Sequence, residues 1–137
     1  MRTFKEDYLT GIKNEEEIIN ILKTKKKFKD IKKTVSYYEK FDFFNDKYEI
    51  ELKTRNVKYD KYTTSIIACD KVTRISGKLR KLYLFFKYED GLYYIKYKKK
   101  VFKNIEVIEF KRNFRVDFND KLKRYFNIPI GLLKKFN

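Results

Sequence analysis

The chain has no histidine, and that absence removes whole classes of mechanism. A Ser-His-Asp or Cys-His nucleophile is excluded, as is any zinc site that relies on imidazole. Cys69 is the only cysteine, so there is no disulfide framework and no CxxC metal site, and an intracellular location is the default expectation. No apolar run reaches the length of about 18 residues that a membrane helix needs. The charged start MRTFKED also lacks a signal-peptide apolar region, so no membrane partner is expected. One proline, four glycines and the single alanine, Ala68, stand against heavy use of Lys, Ile, Tyr, Phe and Asn. That bias resembles coding from an AT-rich genome, as in a phage, a large DNA virus or a low-GC microbe, and says nothing of mechanism.

What is present points to a polyanion. Thirty-five Lys and Arg against 19 Asp and Glu give a formal charge of +16, and neutralising phosphates with such an excess releases condensed counterions. Nucleic acid is therefore the expected partner, with a lysine-rich surface that serves only solubility as the plain alternative. With 42% apolar and 18% aromatic residues over 137 positions, the chain reads as one domain, 1–137, with one core. If it is an enzyme, its acid-base and electrophilic groups must come from Asp, Glu, Lys, Tyr or a bound hard cation. Carboxylates with Mg²⁺ are the natural match.

The stretch that organises the rest is Tyr38 to Lys53, YEKFDFFNDKYEIELK. Two aromatic-rich runs flank Asn45-Asp46, residue types that suit a tight turn, so the stretch reads as a β-hairpin with strands Thr34 to Phe44 and Lys47 to Thr54. Alternation puts Glu49, Glu51 and Lys53 on one face and Tyr48, Ile50 and Leu52 on the other. A two-residue turn at Asn45-Asp46 pairs Phe44 with Lys47 and sets Asp42 opposite Glu49. Glu51 is then a diagonal neighbour roughly 7 to 8 Å away, close enough for both acids to converge on one cation. The alternative is an amphipathic hairpin with a solvated polar face, in which Lys40 pairs with Glu51.

Thr10 to Phe28 reads as the first helix, with Asn14 as N-cap or early-turn residue, Glu15, Glu16 and Glu17 in the first turn and lysines at the far end. Ile12, Glu15, Ile19 and Leu22 follow one helical face, which brings Glu15 to the apolar stripe, where a metal or Lys53 would be its partner. Lys23 to Lys33 forms a basic exit, either phosphate-facing or solvated. Arg55 to Tyr62 reads as a loop able to touch a nucleic-acid backbone through Arg55, Lys58 and Lys61. A strand through Thr63 to Ile67 and a helix from Cys69 to Ser76 follow; from that helix Lys71 either points at the acids or lies on the surface. LYLFFKY and LYYIKY surround Glu89-Asp90-Gly91, a hairpin whose Asp-Gly supplies a positive φ and whose first strand is central and buried on both faces. Lys98 to Lys100 reads as a solvated loop, Ile105 to Phe110 and Phe114 to Phe118 as edge strands bearing Arg112 and Arg115, Asp120 to Phe126 as a short helix, and IPIGLLKKF as an apolar tail docked on the core.

In order of elements and in four positions the chain resembles the restriction-endonuclease-like or PD-(D/E)XK superfamily, nearest to small Holliday-junction resolvases and related viral and phage nucleases. Gly11 and Glu15 are similar to the Gly-x-x-x-Glu that opens the first helix there. Asp42 takes the place of the motif's Asp, and Glu51 and Lys53 that of its Glu-x-Lys. Phe41 stands where the family often has proline, and the loop between the strands is short. The resemblance implies an α/β fold, a mixed β-sheet core flanked by helices in the order α-β-β-β-α-β with extra C-terminal strands. It implies a Mg²⁺-dependent DNA endonuclease, with Mn²⁺ as a substitute, cutting branched DNA as a homodimer. Asp42, Glu51 and the carbonyl of Leu52 would hold the metal, Glu15 a second metal or its water shell, and Lys53 would orient the attacking water. The competing readings are a nucleic-acid-binding module of the same fold without catalysis, and a structural or partner-binding protein.

Overall fold

The computed structural model describes residues 4–34, 41–73, 80–110 and 122–137. The first helix, α1, spans Phe4–Leu22. It is rich in Glu, Lys and Leu, good helix formers, and free of proline. Ile18 and Leu22, four apart, are buried on its inner face. The helix begins six residues earlier than the sequence suggests, so Asn14 is interior and its Oδ1 accepts from Lys87 Nζ at 3.0 Å. It also stops earlier, at Leu22. Lys23, Lys25, Lys26 and Lys27 follow, like charges that oppose continuation, and Thr24 Oγ1 bonds back to the Ile21 carbonyl at 2.6 Å. A 3-10 turn at Lys26–Phe28 then drops Phe28 into the core.

Among the described residues nine strands form two sheets. The strands are β1 Lys32–Lys33, β2 Phe43–Phe44, β3 Tyr48–Thr54, β4 Thr64–Ala68, β5 Lys81–Tyr88, β6 Gly91–Lys96, β7 Val107–Phe110, β8 Lys123–Pro129 and β9 Lys134–Lys135. Two further short helices are α2, Cys69–Thr73, and α3, Lys99–Phe102. The larger sheet runs β1-β2-β3-β5-β6-β9 and the smaller β4-β8-β7. All pairs are antiparallel except β3 with β5, which run parallel from Tyr48↔Lys81 to Thr54↔Lys87. A parallel pair needs a crossover, and the chain between them carries β4 and α2.

Strand β5 is the axis of the molecule. Leu82, Tyr83, Leu84, Phe85 and Phe86 are all buried, as expected for a central strand covered on both faces. Tyr83 and Phe85 pack with Ile18, Leu22, Phe28 and Ile50 on the α1 side. Leu82, Leu84 and Phe86 pack on the other side with Ile67, Val72 and Ile128 from β4, α2 and β8. The mixed α/β character agrees with the sequence reading, and the strand expected through Thr63 to Ile67 forms as β4 before α2, but it joins a second sheet that covers one face of the large one.

Three local expectations change. Residues 123–129 form strand β8 in place of the short helix over Asp120 to Phe126, because backbone pairing with β4 on one side and β7 on the other satisfies its donors and acceptors. The β5–β6 turn is Glu89-Asp90, with Tyr88 paired to Gly91, and no described residue has positive φ. Gly91 is instead a place of close approach, where a Cβ would lie 3.3 Å from the Tyr93 ring. Lys99 and Lys100 open α3 and do not form a loop. The edge strand over Phe114 to Phe118, with Arg112 and Arg115, lies outside the described residues, as do positions 35–40 of the first hairpin strand, Lys40 included, and the end of the second helix at 74–76. The tail docks as expected: Leu133 is buried and Phe136 packs on Phe85, with ring centroids 5.5 Å apart.

Candidate functional site

The hairpin forms, but its turn sits one residue later than the sequence suggests. Phe43 pairs with Ile50 and Phe44 with Glu49, and the Asn45 N–H donates to the Tyr48 carbonyl at 3.0 Å, which leaves Asp46-Lys47 as the turn. Asn45 determines this. Its Oδ1 accepts from the backbone N–H of Lys47 and Tyr48 at 3.0 and 2.7 Å. Its Nδ2 donates to the Lys27 carbonyl and to Asp30 Oδ1 at 3.1 and 3.0 Å. A residue that looks like turn filler is thus the buried bracket that ties the hairpin to the segment after α1.

The later turn slides Asp42 two residues along β3, away from Glu49 and into line with Glu51. Asp42 N–H donates to the Ile50 carbonyl at 2.8 Å, and its Oδ2 accepts from Leu52 N–H at 2.7 Å. Asp42 is therefore fastened to both neighbours of Glu51. What the structure shows at Leu52 is this N–H, donating to Asp42.

Alternation turns Glu49, Glu51 and Lys53 toward the face shared with Leu84 and Phe86, where Glu51 is 4% exposed. Lys53 Nζ lies 3.4 Å from Glu51 Oε1, and Lys71 Nζ approaches the same oxygen from α2 at 3.9 Å. Lys71 is both of the things the sequence offered: an exposed lysine and a partner of the acids. Burial pushes the Glu51 carboxyl up to about 7, helped by Asp42 and resisted by Lys53 and Lys71. Asp42 is also raised, chiefly by burial, with the Leu52 N–H pulling the other way and Glu15 adding repulsion. Two acids that repel each other in a partly dry site, with two lysines unable to offset the strain, are what a divalent cation would relieve.

Glu15 lies near enough to repel Asp42 but is itself paired elsewhere. Its Oε2 is paired with Lys33 Nζ at 2.7 Å rather than with Lys53, because β1 brings Lys33 to that side of the helix. Among the described residues no three acidic or thiol side chains are gathered so as to hold a metal ion. Arg55, expected on a phosphate, turns inward, with a guanidinium N–H donating to the Ile66 carbonyl at 2.6 Å. Lys58 and Lys61 are exposed on the loop after β3. A cavity of about 340 Å³ opens beside that loop, starting at Thr54 next to Lys53 and walled by Tyr59, Tyr62 and Tyr88. Arg112 and Arg115 lie outside the described residues.

Comparison with protein-family models, with curated proteins and with solved structures gives no match. The site therefore rests on its own geometry. Sequence reading put Glu49 on the face of Glu51 but missed its burial and its partner, Arg80, whose Nη1 lies 3.8 Å from the Glu49 Oε1. The place of Glu49 two residues before Glu51 was the available signal. It also missed Lys33 as the partner of Glu15, because strand β1 is only two residues long. No helix among the described residues is long and apolar enough to cross a membrane.

Proposed function

We propose that this chain is a metal-dependent DNA endonuclease, resolvase-like in its substrate, with Asp42 and Glu51 as the metal-binding acids and Lys53 beside the attacked phosphate. The observation that carries the reading is the fastening of Asp42 alongside Glu51, with Lys53 and Lys71 both reaching the same Glu51 oxygen. The order helix, three strands, crossover with a helix and then a strand parallel to the third supports the resemblance to the PD-(D/E)XK superfamily, while β4, within the crossover, belongs to the second sheet. A hard cation suits these hard oxygen ligands.

Bound Mg²⁺ would polarise the phosphate and lower the pKa of a water. The chain's own part is to present two carboxylates and a mobile point charge at one place. Lys53 would stand beside the phosphate oxygens and offset the charge that builds as water attacks phosphorus and the sugar oxygen leaves. Lys71 would favour the ionised form of Glu51 without fully offsetting its burial. Since Glu51 titrates at about 7, metal must displace a proton below that pH, so metal affinity and cutting should both rise from pH 6 to pH 8.

A second reading is favoured by one observation: Glu15 is spent on Lys33, which leaves two acids and not three. That pattern suits a nucleic-acid-binding protein of the same architecture without catalysis. A labelled panel of single-stranded, duplex, flap and four-way-junction DNA, incubated with Mg²⁺, Mn²⁺ or EDTA, separates them. Metal-dependent cutting, reduced at least about 100-fold by Asp42→Asn and by Lys53→Ala, is the expected result. Binding without cutting under every metal condition establishes the second reading.

A further inference from the structure

The lysines that line the reverse of the sheet are not explained by the acid pair. Tyr83 on β5 and Tyr94 on β6 belong to the core cluster on the α1 face, opposite to the face of Glu51. Where α1 ends, that face opens into a cleft of about 310 Å³ whose floor includes Tyr83 and Tyr94 and whose walls carry Lys27, Lys96, Lys98 and Lys134. No carboxylate lines it. A second groove of about 790 Å³ continues past Lys27 along Lys25, Lys26 and Lys29 to Lys47, its five lysines tempered by Asp30 and Asp46. Lys27 is positioned with care: its Nζ donates to the Tyr83 hydroxyl at 3.3 Å and stands 5.2 Å from the centre of that ring. The hydrogen bond to Tyr83 raises its pKa and keeps it charged. Lys96 is pushed the other way, by loss of water and then by the charges of Lys81, Lys98 and Lys27. Lys27, Lys96, Lys98 and Lys134 thus share one cleft with no Asp or Glu in its lining, an arrangement that favours an anion there.

We propose that this cleft binds the sugar–phosphate backbone of a nucleic-acid strand, at a site separate from the acid pair. The proposal rests on the nucleic-acid part of the reading above and not on hydrolysis. Lys96, Lys98 and Lys134 take phosphates as point charges, and Lys27 with the Tyr83 hydroxyl supplies a fixed cation and a polar edge. Strand β6 is two strand spacings, about 10 Å, from β3, and the two sites open on opposite sides of a sheet packed on both faces. The segment held in the cleft is consequently not the phosphate presented to Lys53. A molecule with two nucleic-acid sites back to back is suited to a substrate with two arms, or to a strand that wraps the β-sheet.

The test is the salt dependence of binding to a fluorescent 20-nucleotide single strand and a 20-base-pair duplex, measured in EDTA by anisotropy. It compares the wild type, the triple variant Lys96→Gln/Lys98→Gln/Lys134→Gln and a control of equal charge, Lys13→Gln/Lys103→Gln/Lys123→Gln. Each phosphate contact contributes about 0.7 to 0.9 to the slope of log K against log salt, so the cleft variant should lose about two units of slope on at least one ligand while the control loses less than one. Unaltered melting temperature in the cleft variant shows that the change is in binding and not in folding. Equal slopes in the two triple variants, or no binding by the wild type, overturn the cleft. Loss of slope in the cleft variant with no metal-dependent cutting by the wild type keeps the cleft and removes the nuclease reading.

Discussion

At Glu51 the folded chain holds a carboxyl at about 7 against an ordinary value of 4.5. A raised folded value means that the stability tied to this group is fully present below pH 4.5 and is lost as pH rises through 7. The shift corresponds to about 3 kcal/mol at most. Glu51→Gln should therefore melt roughly 5 °C or more above the wild type at pH 8, with the two curves meeting near pH 4.5 in thermal scans read by circular dichroism. Millimolar Mn²⁺ or Mg²⁺ should raise the wild-type melting temperature at pH 8 and leave Asp42→Asn/Glu51→Gln unmoved. A wild-type melting temperature that rises steadily from pH 5 to pH 8 without metal would contradict the strained pair. Much of this was legible in the residues: Asp42, Glu51 and Lys53 stand out as acids and a base on a hairpin, and alternation alone assigns the face. Their separation was not legible, because it depends on where the turn falls.

The hairpin and β8 show what sequence can and cannot say about elements. Asn45 has the chemistry of a turn residue, and nothing local reveals that its amide will reach Lys27 and Asp30, distant in sequence. Asn45→Ala should cost about 1 to 3 kcal/mol in urea unfolding, the range for stranding buried hydrogen-bond partners. It should also free the turn, so that the pH-dependent part of the stability shrinks with it. Strand β8 was misread because Lys121 to Arg124 looks helical on local grounds. What decides the segment is a sheet with β4 and β7, to which Tyr125 and Ile128 bring buried side chains. Ile128→Ala should cost about 2 to 5 kcal/mol, as expected for truncating a fully buried branched residue. The β5–β6 hairpin was readable because both its pattern and its turn are local.

On the scale of the molecule, β3 and β5 join the halves. They are parallel and adjacent, yet β4 and α2 lie between them in the chain, so the lysines on either side of Glu51, Lys53 and Lys71, arrive from opposite ends of one excursion into the second sheet. The sequence reading supplied helix, hairpin and central strand but one sheet instead of two, since partners so distant in sequence leave no periodic mark. Neutralising Lys58 and Lys61 on the exposed loop beside the acids should lower the salt slope of duplex binding by about one to two units without altering the melting temperature.

The outermost strands of the six-stranded sheet, β1 and β9, are each two residues long and each is Lys-Lys, with all four side chains exposed. A short, positively charged margin discourages one sheet from adding to another. The chain can therefore carry 13 Phe and 12 Tyr, many of them in β-strands, without offering those two margins as a template for amyloid-like stacking. If copies of the chain pair, they should do so through some surface other than these two lysine margins. Replacing Lys134 and Lys135 with valine should convert a well-behaved solution into one that scatters light on standing.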